Sequence, residues 1–216
     1  MIITATTVGP FLENAYLVMD EASGRAVYID PGDEGDRLLE VLRASGATLE
    51  AIWLTHAHVD HVGGIAAIRR VHDVPIFMHP ADAPLYEAGA EVAAMYGIPF
   101  DPPPPVDRPL ADGQVMQVGG TRFDVIHVPG HAPGHVAFVG PDRVFGGDLL
   151  FSGSIGRTDL PYCDPVAMSD SLARIATLPE LHAVHPGHGE ATTIGRERRD
   201  NPFLSGIARV IGSGAR

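Results

Sequence analysis

The stretch THAHVDHVGG, residues 55–64, places His56, His58, Asp60 and His61 within six positions. Neutral imidazole nitrogens and carboxylate oxygens suit Zn, Fe or Mn. A helix cap would account for Asp60 but for none of the histidines. In an extended segment alternate side chains share a face, so His56, His58 and Asp60 are expected to converge, with His61 opening the turn into a helix. Three further segments put ligand types at strand-to-loop junctions: His131 in HVPGHAPGH (127–135), Asp148 after the glycine pair of FGGDLLF (145–151), and His188 in HPGHGE (185–190). An α/β scaffold collects its reactive side chains at such junctions. His72, His79, His127, His182 and His185 lack a partner motif and read as structural residues, His182 at the surface. His135 lies near enough to the cluster to support it from behind. Cys163, in LPYCDP, has no histidine motif around it and does not read as a nucleophile.

The elements that must position these residues are short. Apolar, β-branched runs at 2–8, 15–19, 26–30 and 51–55 read as strands separated by turn residues. Residues 30–46 read as a strand end, a glycine turn and a helix closed by Gly46, with Leu38, Leu39, Val41 and Leu42 on one face. A helix is expected over 63–73, a strand over 74–80, and a helix over 81–97 broken at Gly89. DPPPPVDRP (101–109) favours an extended connector. Hairpins are expected at 114–128, around Gly119-Gly120, and at 135–147, turning at Gly140-Pro141-Asp142. A helix over 164–180 would have Asp164 as N-cap and Pro165 at its first position. A strand over 181–187 and a terminal helix over 195–212, broken near Pro202, complete the chain. Strands alternating with helices, with hairpins in both halves, predict an α/β fold with mixed sheets.

The ordered series T-H-A-H-V-D-H, P-G-H-A-P-G-H, G-D and P-G-H-G, preceded by Asp30 in IDPG, resembles the signature of the metallo-β-lactamase-fold superfamily over about residues 2–190. The resemblance implies a four-layer αββα sandwich of two mixed β-sheets flanked by helices, in one domain over 1–216 with 195–216 as a C-terminal helical tail. It implies two divalent metal ions, zinc foremost and Fe or Mn as alternatives. His56, His58 and His131 would hold the first ion, Asp60, His61 and His188 the second, with Asp148 bridging and Asp30 orienting a loop or ligand from behind. Two such ions lower the pKa of a water between them toward ~7, and Asp60 and Asp148 would orient the resulting hydroxide.

Within the superfamily, DLLFSGSIGRTDLP (148–161) and GRERRDNPFL (195–204) are similar to the glyoxalase II-like hydrolases of hydroxyacyl thioesters. That implies a small-molecule thioester substrate, S-lactoylglutathione or a related acyl-glutathione. Arg157 would stand where those proteins carry a substrate-contacting lysine, keeping the charge and changing its geometry. The helical domain of full-length members is absent, since His188 and Asn201 lie 13 positions apart (201 less 188). Persulfide dioxygenases share the fold, the GRTD stretch and the ligand order but use one Fe(II). The alternative is therefore an oxidoreductase whose triad is His56, His131 and Asp148. A lactonase shares the dinuclear centre.

Composition narrows the classes further. The 216 residues suffice for one sizeable core. Fifteen basic against 27 acidic residues, a net charge of −12, argues against a nucleic-acid surface. Arg196, Arg198 and Arg199 read as a solvated helix face with Glu197 and Asp200. No run approaches ~18 apolar residues, the opening MIITATTVGPFLEN lacks signal-peptide features, and one cysteine permits no internal disulfide. A cytoplasmic enzyme without membrane or nucleic-acid partners is expected.

Overall fold

The central strands are apolar on both faces, and alternate residues enter different cores. In the computed structural model, which describes residues 1–211, one sheet runs in order β1 (Ile2–Val8), β2 (Glu13–Met19), β3 (Arg25–Ile29), β4 (Thr48–Trp53), β5 (Ile76–Met78) and β6 (Arg108–Pro109). The second contains β7 (Val115–Val118), β8 (Thr121–His127), β9 (Val136–Val139) and β10 (Arg143–Gly147). A separate hairpin, β11 (Leu150–Phe151) and β12 (Ser154–Ile155), follows. Then β13 (Ala183–Pro186) and β14 (Thr192–Thr193) complete the second sheet in the order β14-β13-β10-β9-β8-β7. Both sheets are mixed: β1, β2 and β3 pair antiparallel while β3, β4, β5 and β6 pair parallel, and β10 pairs parallel with β13 but antiparallel with β9.

Three apolar clusters define four layers. Ala15, Leu17, Ala26, Tyr28 and Ile52 pack with Leu38 and Leu42 of α1 (Gly35–Ser45) and with Val62 of α2 (Val59–Val62) and Ile65 and Ile68 of α3 (Ile65–Val71). Their strand neighbours Tyr16, Val18, Val27, Ile29, Ala51 and Trp53 face the other way, onto Val118, Phe123, Val125, Val136, Phe138 and Phe145 of the second sheet. That sheet's outer residues, Ala137, Val139, Val144 and Val184, pack with Met168, Leu172 and Ile175 of an outer helix. The period of two in a strand produces this sorting. Each fully buried large apolar side chain contributes about 1.5–3 kcal/mol. The result is the expected αββα sandwich of two mixed sheets flanked by helices.

The expected 81–97 helix is two helices, α4 (Ala83–Glu87) and α5 (Gly89–Tyr96), closed by Gly97. Residues 101–107 of the proline connector carry no regular structure, its last two form β6 at the sheet edge, and the Tyr86 hydroxyl donates to the Pro104 carbonyl at 2.7 Å. The outer helix, α6 (Pro165–Ile175), starts as expected, with the Asp164 carboxylate accepting from the Val166 and Ala167 N–H groups, but ends well before residue 180. Pro179 disfavours helix at the residue before it. The terminal helix is shorter still. It is α7 (Ile194–Asp200), and turns follow Pro202. Proline cannot continue the ladder, and Asn201 bends the chain by accepting from the Phe203 N–H at 3.0 Å. Residue 212 of that expected helix lies outside the described residues. Glu197 is no part of a solvated face: it is buried, accepting from Thr192 Oγ1 and the Gly153 N–H, and it holds Asn201, whose amide also donates to the Ser154 carbonyl. His182 is buried rather than surface, with its carbonyl accepting from the Ile194 N–H. Among the described residues no helix is long and apolar enough to cross a membrane.

Candidate metal centre

Five chain segments end at one edge of the sandwich. β3 and β4 run parallel, and β8, β10 and β13 share one direction. Their C-terminal ends deliver Asp30, the 55–61 loop, His131, Asp148 and His188. The edge is knitted by backbone bonds from Val136 N–H to Thr55 O, from Asn14 N–H to Gly187 O, and from Gly187 N–H to Gly147 O.

Two clusters form there. In the first, His58 Nδ1 lies 3.1 Å from His56 Nε2 and 2.9 Å from His131 Nε2. In the second, His188 Nε2 lies 3.3 Å from Asp60 Oδ2, with His61 beside them. Asp148 stands between the clusters. Its Oδ2 is 3.4 Å from His131 Nε2 and 3.5 Å from His188 Nε2, and its Oδ1 is 3.4 Å from His61 Nε2. All seven sequence-expected residues therefore meet, with one correction. His56, His58 and Asp60 do not share an extended face. The chain turns into α2 directly after His58, and Asp60 in its first turn goes to the second cluster.

The outer ring nitrogens settle which way the lone pairs face. His131 Nδ1 donates to the Arg157 carbonyl at 2.8 Å and His188 Nδ1 to the Phe11 carbonyl at 3.0 Å. His61 Nδ1 donates to Asp30 Oδ2 at 3.1 Å. His56 Nδ1 donates to Thr55 Oγ1 at 3.1 Å, because that hydroxyl gives its own proton to Asp30 Oδ2 at 2.5 Å. Tautomers assigned from partners in this way leave the Nε2 lone pairs of His56, His61, His131 and His188 pointing inward. Two of them face His58 Nδ1, which has at most one proton to offer. His61 Nε2 and Asp148 Oδ1 are buried with no hydrogen-bond partner. Orphaned buried acceptors are costly. Converging lone pairs backed by carboxylates and carbonyls are what bound cations need. The residues present therefore fit divalent metal ions.

Burial, then the neighbouring His131, holds His58 down to about 3. His188 shows the opposite balance. Burial opposes its charge, but hydrogen bonds to Asp148 and Asp60 raise it to about 9. Burial likewise opposes charge on His61, and Asp148 raises it well above the usual range. In the metal-free protein, protons on these two rings serve as the cations for Asp60 and Asp148. A raised folded pKa contributes stability that is full below the unfolded value of about 6.5 and lost as pH rises through about 9. The melting temperature of metal-free protein should fall across that window. Metal-loaded protein, having released those protons on binding, should not follow it.

Two carboxylates in the site carried no sequence signal. Asp82 is buried and accepts from the Ala57 N–H at 3.0 Å and from the Gly134 N–H, tying the 55–61 loop to the 128–135 loop. Burial raises its pKa to about 6. Glu13 is buried 3.9 Å from His61 Nδ1, both oxygens without a partner, and burial pushes its pKa well above the usual range. His135 supports the centre, its Nε2 accepting from the Asp148 N–H at 3.0 Å and its ring stacked on His56. Arg157 reaches inward through its carbonyl. Its exposed guanidinium is held bidentately by Asp159 at 2.8 and 3.0 Å. His79 and His127 stack on each other, and His185 packs between Tyr16 and Phe145.

Several glycines around the site leave no room for a side chain, Gly187 among them. A Cβ on Gly187 would lie 2.2 Å from Asp148 Oδ1 and 2.7 Å from His61 Cε1. Gly187→Ala should leave the protein folded, lower its stability by about 1–3 kcal/mol, and reduce bound metal, read by elemental analysis.

The family model of the metallo-beta-lactamase superfamily matches residues 8–212. The chain belongs to that superfamily. Its relatives include the hydroxyacylglutathione hydrolase GloC of Haemophilus influenzae, 35% identical, with 95% of this chain and 99% of that protein covered. A di-iron-bound crystal structure of TTHA1623 is 49% identical, with a TM-score of 0.87 over 93% of this chain and all of that one. ETHE1 from Myxococcus xanthus is 29% identical, with a TM-score of 0.80 over 95% of this chain and 85% of that one. Membership in this superfamily, with a clustered His/Asp set, supports a metal-dependent enzyme of hydrolase type.

Proposed function

We propose that this superfamily member is a dinuclear hydrolase that cleaves a thioester, such as S-lactoylglutathione or a related acyl-glutathione. The carrying observation is Asp148, one carboxylate reaching His131 on one side and both His61 and His188 on the other. His56, His58 and His131 would hold one ion and Asp60, His61 and His188 the second, zinc in the first instance, with iron or manganese also suited to these donors. When bound, such a pair supplies a nucleophile at neutral pH and polarises a carbonyl. The chain's own groups fix the geometry. Asp30 holds His61 directly and His56 through Thr55. The Arg157 and Phe11 carbonyls fix His131 and His188. Asp60 and Asp148 are the carboxylates placed to orient a nucleophilic oxygen. The likeness to GloC supports a glutathione-linked substrate. Arg157 would have to exchange Asp159 for a substrate carboxylate, so in this reading its side chain adds little binding. A small-molecule substrate and a cytoplasmic setting fit the acidic chain with its single free thiol.

The second reading is a mononuclear iron oxygenase using His56, His131 and Asp148, which the structural likeness to ETHE1 keeps in view. The complete second cluster favours two ions. Metal content measured with S-lactoylglutathione turnover separates the readings. Two ions per chain with turnover upholds the hydrolase. One iron per chain with O2 uptake on a persulfide overturns it. Two ions without turnover discards glutathione thioesters.

A further inference from the structure

The β11–β12 hairpin has little to hold it in place by itself. Its strands are two residues each, paired Leu150 to Ile155 and Phe151 to Ser154. An isolated hairpin is marginal in water even when longer. Yet both of its ends serve the metal centre. Asp148 lies two residues before β11, and Arg157, whose carbonyl accepts from His131 Nδ1 at 2.8 Å, lies two residues after β12. The ends also meet. A Cβ on Gly156 would lie 1.9 Å from the Asp148 carbonyl oxygen and 3.2 Å from His131 Nδ1. Within the hairpin, Phe151 packs edge-on to His188 with ring centroids 6.0 Å apart. A shift of this hairpin therefore reaches residues of both clusters.

The C-terminal tail takes up the hairpin's remaining main-chain groups. The Gly153 N–H donates to Glu197 Oε2 at 2.8 Å. Asn201 Nδ2 donates to the Ser154 carbonyl at 2.9 Å and, at 3.4 Å, to that of Phe151. The pair is also closed on itself: Asn201 Nδ2 donates to Glu197 Oε2 at 2.8 Å, and Thr192 Oγ1 donates to Glu197 Oε1 at 2.5 Å. Glu197, Asn201 and Thr192 are all buried. Phe203 and Leu204 of the same tail pack against the cluster that contains Leu149 and Leu150. Those apolar contacts would anchor a tail without any polar group. Burying a carboxyl and an amide is costly unless their bonds are made. Once made, such a network fixes direction as well as position.

We infer that Glu197 and Asn201 are positioning residues for the metal centre: they lock the β11–β12 hairpin, and through it the Asp148 carboxylate and the carbonyl behind His131. The inference rests on the dinuclear reading, since it gives the tail a hold on residues of both proposed ion sites. Neither side chain touches an ion or substrate. Their effect travels through the Gly153 and Ser154 main chain to Arg157 on one side and Asp148 on the other. Partners that orient ligands from behind raise metal affinity by holding the donors where the ion needs them.

The test titrates the metal-free full chain with Co2+ against a competing chelator and follows the visible spectrum, which reports the ligands around the ion. Native protein should take up two ions per chain. Asn201→Ala and Glu197→Ala should each weaken Co2+ binding by about tenfold, the low end of what partners behind the ligands contribute, and should alter the spectrum. Glu197→Gln should restore native binding, because its amide oxygen can replace Oε2 while its NH2 donates to Thr192 Oγ1. Leu42→Ala, in the apolar cluster between the first sheet and its helices, also costs stability but should bind Co2+ as the native protein does. Thr192→Val keeps the side-chain size and removes one bond to Glu197, so it should weaken binding by roughly threefold; it carries the test if an alanine variant fails to fold. Native affinity and spectrum in the Asn201, Glu197 and Thr192 variants, or an equal loss in Leu42→Ala, overturns the positioning role. One Co2+ per chain in the native protein overturns the dinuclear reading instead, and the same variants then decide the tail's role at the site that contains His131.

Discussion

Under the proposed dinuclear thioesterase reading, Asp148→Asn should lower kcat/KM for thioester hydrolysis by about 10³-fold, with loss of one ion per chain. Asp148 is a carboxylate that meets both clusters directly, so its neutral amide removes charge from both at once. The transition-state stabilisation a metal pair offers is worth several kcal/mol, and about 4 kcal/mol is a factor of ~10³. The amide nearly matches the carboxylate in size, so the fold should persist. Parallel elemental analysis and steady-state kinetics check this. A variant that keeps both ions and turns over at the native rate would remove the bridging role.

Asp82→Ala should give the largest stability loss outside the apolar core. The carboxylate satisfies two main-chain donors, those of Ala57 and Gly134, inside a buried site. Orphaning two buried N–H groups costs roughly 2–6 kcal/mol, a melting-point drop on the order of 5–20 °C for a chain of this size. The loops it joins carry His56, His58 and His131, so metal affinity should fall with stability. Asp82→Asn retains one acceptor and should recover about half the loss. Thermal melts of the three proteins, with and without metal, measure both effects. Equal melting points would show that the loops hold each other without the tether.

The candidate metal-binding residues were legible because histidines and aspartates cluster at strand ends in an order that resembles the superfamily signature. Asp30 was legible only through that resemblance. The strands of 4–7 residues could be read from apolar alternation, whereas β6, β11, β12 and β14, of two residues each, have no periodicity to read. Extended alternation alone puts Asp60 on the face of His56 and His58, because a four-residue helix such as α2 leaves no helical repeat to read; the family resemblance puts it with His61 and His188, where it lies. Asp82 and Glu13 were invisible: one carboxylate at a helix start or strand start is ordinary until the backbone folds around it. Tertiary packing also decided Glu197, which reads as a charged helix residue and is instead the buried acceptor that fastens the tail.

Each six-stranded sheet is contiguous in the chain: β1 to β6 precede residue 110, and β7 onward follow it. The candidate metal-binding residues divide at the same point, with four before it and three after. During synthesis the first half can hydrogen-bond its own sheet while still owning only a partial claim on metal. Tight loading must wait until the second sheet has emerged and docked, which makes metal capture a report on complete assembly. A chain severed between Leu110 and Gln114 would then carry two fragments, each incompetent alone, whose reunion could be followed by the appearance of bound ions.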